Sequence, residues 1–292
     1  MLDNFETLRL AVNGVDIHLR HGGSGPPLLL LHGFPQTHAI WHRLAGSLAR
    51  RHTLVMPDLR GYGDSSKPPG EAGHANYAKR AMAQDMVEVM RALGHPRFHV
   101  CGHDRGGRVA HRLALDHPSA VSRLMLIDIS PTATMYAARD MRRFATLYYH
   151  WFFLIQPAPL PETLIGNNVR YYLDRTLGGW GSDGAAFITA EARAEYLRCF
   201  DTPQAVHAAC EDYRAAATID LEHDEDHGGN RIACPTRVIW GRDSVVGELF
   251  EPVADWQAKC RQTVSGIALP GGHFLPEQCP DLLLDDMIRF FG

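Results

Sequence analysis

No stretch of this 292-residue sequence approaches the roughly 20 consecutive apolar residues that a membrane-spanning helix requires. Internal repeats and low-complexity tracts are also missing, which excludes fibrous and solenoid architectures. Cysteine is scarce: Cys101, Cys199, Cys210, Cys234, Cys260 and Cys279 form no CxxC pair and no tight ligand spacing, so a disulfide scaffold or zinc ribbon is not expected. Positive charge is not in excess. Lys and Arg number 29 against 33 Asp and Glu, a formal net charge of -4, which argues against nucleic acid or an anionic membrane as the main partner. Residues 1 to 6 carry acid rather than base and no apolar segment, so no secretory signal is read there and a cytoplasmic protein is expected.

What is present is an ordinary globular composition, 45% hydrophobic and 21% charged, on a chain long enough to bury a sizeable core. Strand-sized apolar segments at residues 7 to 12, 15 to 20 and 27 to 31 are separated by Asn13-Gly14, a hairpin signal, and by a glycine-rich turn. Ile40, Trp41, Leu44 and Leu48 predict a helix over residues 38 to 50, and residues 52 to 56 return to a strand. Met82, Met86, Val89, Met90 and Leu93 mark an amphipathic helix ahead of the run Phe98-His99-Val100-Cys101. A helix over residues 106 to 117 and the buried-type strand Leu124-Met125-Leu126-Ile127 follow. Strands separated by helices imply an α/β fold with a mostly parallel sheet covered on both faces. Residues 131 to 215 read instead as helices rich in aromatics, and the alternating plan resumes at Thr236-Arg237-Val238-Ile239-Trp240 and Gly266-Ile267-Ala268-Leu269. The expected organisation is an α/β core in two parts, residues 1–130 and 216–292, interrupted by a helical cap at 131–215.

The chemistry concentrates at Cys101-Gly102-His103-Asp104-Arg105-Gly106-Gly107-Arg108. A strand running into Gly-x-Asp-x-Gly and then a helix is the nucleophile-elbow pattern with aspartate in the place of serine; its plain alternative is a glycine-rich turn capped by Asp104. Leu31-His32-Gly33-Phe34-Pro35 ends another strand in a loop whose N–H, with that of Arg105, can hold an oxyanion. Pro270-Gly271-Gly272-His273 places a histidine after the last strand. These motifs, in this order over nearly the whole chain, resemble the α/β-hydrolase superfamily. An aspartate nucleophile displaces a leaving group from saturated carbon and forms an enzyme ester that water then hydrolyses, which leaves dehalogenases and epoxide hydrolases.

Arg105 and Arg108, three residues apart at the start of a helix, point to a clamp for a substrate carboxylate; two solvated arginines are the plain alternative. His150-Trp151 and Tyr213 bring N–H and O–H donors onto otherwise apolar walls, suited to a departing halide. Together with His-Asp-Arg-Gly-Gly-Arg, residues 32 to 41 and the segment Asp128-Ile129-Ser130-Pro131-Thr132-Ala133-Thr134-Met135-Tyr136 resemble the fluoroacetate (haloacetate) dehalogenase family.

That resemblance implies Asp104 as nucleophile, Arg105 and Arg108 on the substrate carboxylate, and His150, Trp151 and Tyr213 on the halide. It implies His273 as the activator of water, oriented by Asp128, and a homodimer formed through the cap. By position alone, Asp243 after the next strand also reaches His273. Tyr148, Tyr149 and Tyr213 keep epoxide opening in view, and the fold also serves as a ligand-binding receptor with little turnover. His223-Asp224-Glu225-Asp226-His227 has residue types a metal accepts but reads as a solvated loop. The chemistry implied needs no metal and no cofactor, only a small halocarboxylate substrate.

Overall fold

The computed structural model of the protein describes residues 1–227 and 229–292. Eight strands form one sheet: β1 Glu6–Val12, β2 Val15–Gly23, β3 Pro27–Leu31, β4 Thr53–Pro57, β5 Phe98–His103, β6 Val121–Ile127, β7 Thr236–Gly241 and β8 Ser265–Leu269. Their spatial order is β1-β2-β4-β3-β5-β6-β7-β8. The Asn13-Gly14 turn closes an antiparallel hairpin in which Val12 faces Val15, and β2 pairs antiparallel with β4; every later pairing is parallel. This is the mostly parallel sheet that the alternation of strands and helices implies.

Period-two alternation sends the two sides of each central strand into different cores. Leu29, Leu31, Val100, Leu124, Leu126 and Val238 pack with Met82, Met86 and Val89 of the helix Lys79–Ala92 and with Val109 and Leu113 of the helix Arg105–Asp116. Their sequence neighbours Leu28, Leu30, Cys101, Met125, Ile127 and Ile239 turn to the opposite face, against Trp41, Leu44 and Leu48 and against Leu283, Met287 and Phe291 of Pro280–Phe291. Each such leucine or isoleucine stabilises the fold by about 1.5–3 kcal/mol. No helix among the described residues is long and apolar enough to cross a membrane.

Residues 38 to 50 form two short pieces, the 3-10 turn His38–Trp41 and the α-helix Ala45–Leu48, rather than one helix. Ala39, Ile40 and Trp41 are all buried, so the chain there turns inside the core and presents no single apolar face. Between β6 and β7 the helices run from Thr132 to Asp226, past residue 215. The acidic segment 223 to 227 is not a loop: it continues the helix Ile219–Asp226, whose first-turn Asp220 accepts the Lys79 main-chain N–H at 2.7 Å. An acid at that end of a helix is favoured by the dipole. Gly228, in the same stretch, lies outside the described residues.

Candidate active site

Asp104 sits where β5 ends and the helix Arg105–Asp116 begins, with φ 49° and ψ -117°. Positive φ at a non-glycine residue is strained, and the flanking glycines let the turn close. A Cβ on Gly102 would stand 2.5 Å from the Gly106 carbonyl oxygen, and one on Gly106 would stand 2.3 Å from that of His32. The result presents the Asp104 carboxyl at the carboxyl edge of the sheet, where α/β folds bind ligands. There the Phe34 N–H, on the turn after β3, donates to Asp104 Oδ1 at 2.9 Å.

Asp128 follows β6, and His273 follows β8. His273 Nδ1 donates to Asp128 Oδ2 at 2.6 Å. The other oxygen of Asp128 accepts the Gly241 N–H at 2.9 Å and the Ser244 hydroxyl at 2.6 Å, so the carboxylate is held on both sides. Asp243 is exposed. Of the two acids the sequence left open, Asp128 is therefore the one bonded to the imidazole. His273 Nε2 has no partner and stands 3.8 Å from Asp104 Oδ2, while His103, beside Asp104, donates from Nε2 to the His273 carbonyl at 2.9 Å. Burial holds the His103 ring at a pKa of about 3, hence neutral.

Burial would raise the Asp104 carboxyl, but its electrostatic interactions with the His273 and His103 rings and with the Arg105 and Arg108 guanidinium groups outweigh it and hold the group below its usual range. Arg105 is not solvated, and it is already paired. Its Nε donates to Asp212 Oδ2 at 2.9 Å, and its Nη2 donates to Asp212 Oδ1 at 2.8 Å and to the Asp212 carbonyl at 2.7 Å; Nη1 alone is left over. Asp212 also takes Lys79 Nζ and the Tyr62 hydroxyl. Arg108 is different: it donates to the Ser130 carbonyl at 3.2 Å, Thr132 Oγ1 at 2.8 Å and Met135 Sδ at 3.1 Å, its Nε is unused, and no carboxylate pairs with it among the described residues. Burial and the neighbouring Arg105 lower its pKa, as an unpaired buried cation requires.

The cap closes over these groups with aromatic rings. Tyr213 lies against the Arg105 guanidinium, ring centroid to Cζ 4.1 Å, and Trp151 against that of Arg108 at 4.8 Å. His150 packs between Phe34, at 6.2 Å, and Trp180, at 4.3 Å. Burial drives the His150 ring well below its usual pKa and the Tyr213 hydroxyl well above, so both are neutral and Tyr213 keeps its proton. His150 Nδ1 and the Tyr213 and Tyr136 hydroxyls are buried with no partner. The Tyr148 hydroxyl stands 3.3 Å from His273 Nδ1, whereas Tyr149 is 40% exposed.

Three residues to which the sequence reading assigns no role of their own shape this site. Asp212 was hidden beside Tyr213, 107 residues from the arginine it binds. Ser244 was hidden next to Asp243. Trp180 accepts the His273 main-chain N–H at 3.0 Å, its ring lies 5.1 Å from the imidazole, and it takes φ 57°. A tryptophan set among Gly178, Gly179 and Gly181 was its only signal.

The alpha/beta hydrolase fold family matches residues 26–278. Over 96% of its length and 92% of the relative's, the chain is 47% identical to a fluoroacetate dehalogenase from Burkholderia sp. It is 32% identical to a soluble epoxide hydrolase from Corynebacterium sp. over 96% of its length and 95% of that relative's. A crystal structure from Nostoc sp PCC 7120, described as an alpha/beta hydrolase, superposes with a TM-score of 0.97 at 53% identity, covering 100% of this chain and 99% of that one. The chain belongs to the alpha/beta hydrolase fold family, and within it to the fluoroacetate dehalogenase family.

Proposed function

We propose that this hydrolase is a haloacetate dehalogenase that converts fluoroacetate, and with it chloroacetate and bromoacetate, to glycolate and halide. The observation that carries the reading is the set of buried donors without partners, Arg105 Nη1, Arg108 Nε and the Tyr213 hydroxyl, on the walls around the ionised Asp104. Buried polar groups are rarely left unpaired, so a small anion rich in acceptors is the fitting occupant.

In the reaction, an Asp104 oxygen attacks the halogen-bearing carbon in line. The carbon–halogen bond breaks, the halide takes the bonding pair towards His150, Trp151 and Tyr213, and a glycolyl ester forms on Asp104. Arg105 and Arg108 hold the substrate carboxylate and offset its repulsion from Asp104. A water then gives its proton to His273 Nε2, with Asp128 fixing the tautomer through Nδ1–H, and attacks the ester carbonyl. The Phe34 and Arg105 N–H groups hold the oxyanion. The ester C–O bond breaks, the departing glycolate oxygen takes the proton back from His273, and the Asp104 carboxyl releases its own proton to solvent and is a carboxylate again.

The second reading, epoxide hydrolysis, is favoured by the protonated, unpartnered Tyr213 hydroxyl and by the resemblance to the Corynebacterium enzyme. A neutral epoxide would leave the Arg108 charge unmatched. Fluoride release from fluoroacetate is measured beside diol formation from styrene oxide: steady fluoride release supports the dehalogenase, and diol without fluoride overturns it.

A further inference from the structure

Glu277 lies four residues beyond His273, in the short helix Leu275–Gln278, and is fully buried. Three separate parts of the fold close on it. From the turn after β3, the Gln36 amide meets Glu277 Oε2 through Nε2 at 2.5 Å, and the Gln36 main-chain N–H donates to the Gly33 carbonyl at 2.9 Å, closing the turn that carries Phe34. From the cap, the Tyr196 hydroxyl on the helix Ala190–Phe200 donates to Oε1 at 3.1 Å. From behind the 3-10 turn His38–Trp41, Arg43 Nη1 donates at 2.7 Å to the main-chain carbonyl of Glu277, so its bond is made to the peptide and not to the carboxyl. Among the described residues, no cation forms an ion pair with this carboxyl.

The 2.5 Å contact is shorter than usual for N–H···O and ordinary for O–H···O, and Gln36 Oε1 is buried without a partner. A half-turn of the amide lets that oxygen accept a proton carried by Glu277.

We propose that Glu277 is a positioning residue for the reaction described above: a neutral carboxylic acid that ties the Phe34 turn, the His273 loop and the cap together, and loosens them when it ionises. The inference rests on that reading for its catalytic consequence, though not for the ionisation itself. Burial pushes the carboxyl up to about 8, against weaker opposing pulls from Tyr196, Gln36 and Arg43. Of the other charged groups on the surrounding elements, His38 is engaged with Asp58, Glu195 with Arg198, and Asp286 with Arg237. Tyr196 stays protonated far above this range, and Cys279 is pushed up to about 11. Loss of the Glu277 proton to hydroxide leaves a buried carboxylate with hydrogen bonds and no counter-charge.

The test compares the wild type with Glu277→Gln and Tyr196→Phe, with and without substrate. A group whose folded pKa is raised gives stability that is full below its unfolded value, near 4.5, and is lost as pH rises through about 8. The melting temperature of the wild type should therefore fall relative to Glu277→Gln across that window, and Tyr196→Phe, which removes an opposing pull, should displace the end of the fall to higher pH. With fluoroacetate, wild-type kcat should drop about tenfold between pH 7 and pH 9, as one proton of pKa about 8 is lost, and the Glu277→Gln profile should be nearly flat. Parallel melting curves and superimposable kcat profiles overturn the proposal. If the wild type does not turn over fluoroacetate, the functional reading fails, and the melting curves still decide the ionisation. Should Glu277→Gln not fold, the displacement in Tyr196→Phe carries the decision.

Discussion

His273 Nε2 stands 3.8 Å from Asp104 Oδ2, too far for a hydrogen bond, and has no other partner. The imidazole is held from its far side by Asp128, so the free nitrogen is aimed at the space beside the nucleophile and not tied to it. A base in that position does not compete for the carboxylate in the first step and is ready for a water in the second.

If the two steps divide in this way, His273→Ala still alkylates but does not hydrolyse. Incubated with fluoroacetate, that variant should accumulate protein heavier by one carboxymethyl group, located on Asp104 by peptide mass spectrometry. Unmodified protein with undiminished fluoride release would sink the assignment.

The two arginines should behave differently. Arg108 has neutral partners only, so its charge is the one available to a substrate carboxylate. Arg108→Ala should lower kcat/KM for haloacetates by about ten- to a hundredfold, from the roughly 1.5–3 kcal/mol of a charged hydrogen bond, chiefly through KM. Turnover of a neutral ester, where measurable, should be unaffected. Equal loss on both substrates would mean that Arg108 only supports the fold.

Asp212→Asn should injure stability as well as activity, because it strips the carboxylate from a fully buried Arg105 and leaves Lys79 with the longer contact to Asp220, at 3.4 Å. Breaking such a pair costs about 3–5 kcal/mol, which denaturant titration measures directly. A loss below about 1 kcal/mol would show that the two cations find other partners.

Acid sensitivity should trace largely to Asp58. Its oxygens accept from His18 Nδ1 at 2.9 Å, His38 Nδ1 at 2.8 Å and the main-chain N–H groups of His38 and Asp64. Burial alone would raise this carboxyl, but its electrostatic interaction with His38 and the hydrogen bonds from His18 and His38 hold it well below 3.8. A depressed folded pKa gives stability that is present above the unfolded value and lost as pH falls through the folded one. The wild type should therefore lose stability on acidification below about pH 4 more steeply than Asp58→Asn, which starts lower. Melting temperatures across the acid range read the difference, and equal slopes would count against it.

The strand ends were legible because each carries its own punctuation: Gly102 and Gly106 around Asp104, and Gly271-Gly272 before His273. Hydrophobic alternation likewise gave the sheet and its two covered faces. What the sequence hid were pairings between core and cap, since nothing local to Arg105 announces an aspartate 107 residues away. The helix Ile219–Asp226 is hard to read from sequence for a related reason: Asp220 is fixed by Lys79, a contact in space, while its own neighbourhood reads as solvated acid.

The grip of Asp212 on Arg105 also bears on how anything reaches the chamber. The aspartate belongs to the cap helix Pro203–Ala217, and the arginine opens the helix behind the nucleophile, so roof and floor are riveted at the point of reaction. Lifting the cap as a hinged lid would pull that rivet and expose two stranded cations, at several kcal/mol. Motions that keep the rivet are those of the side chains around it. A cap tied down at that point leaves the shape of the site to residues that turn in place, and not to the angle between two layers.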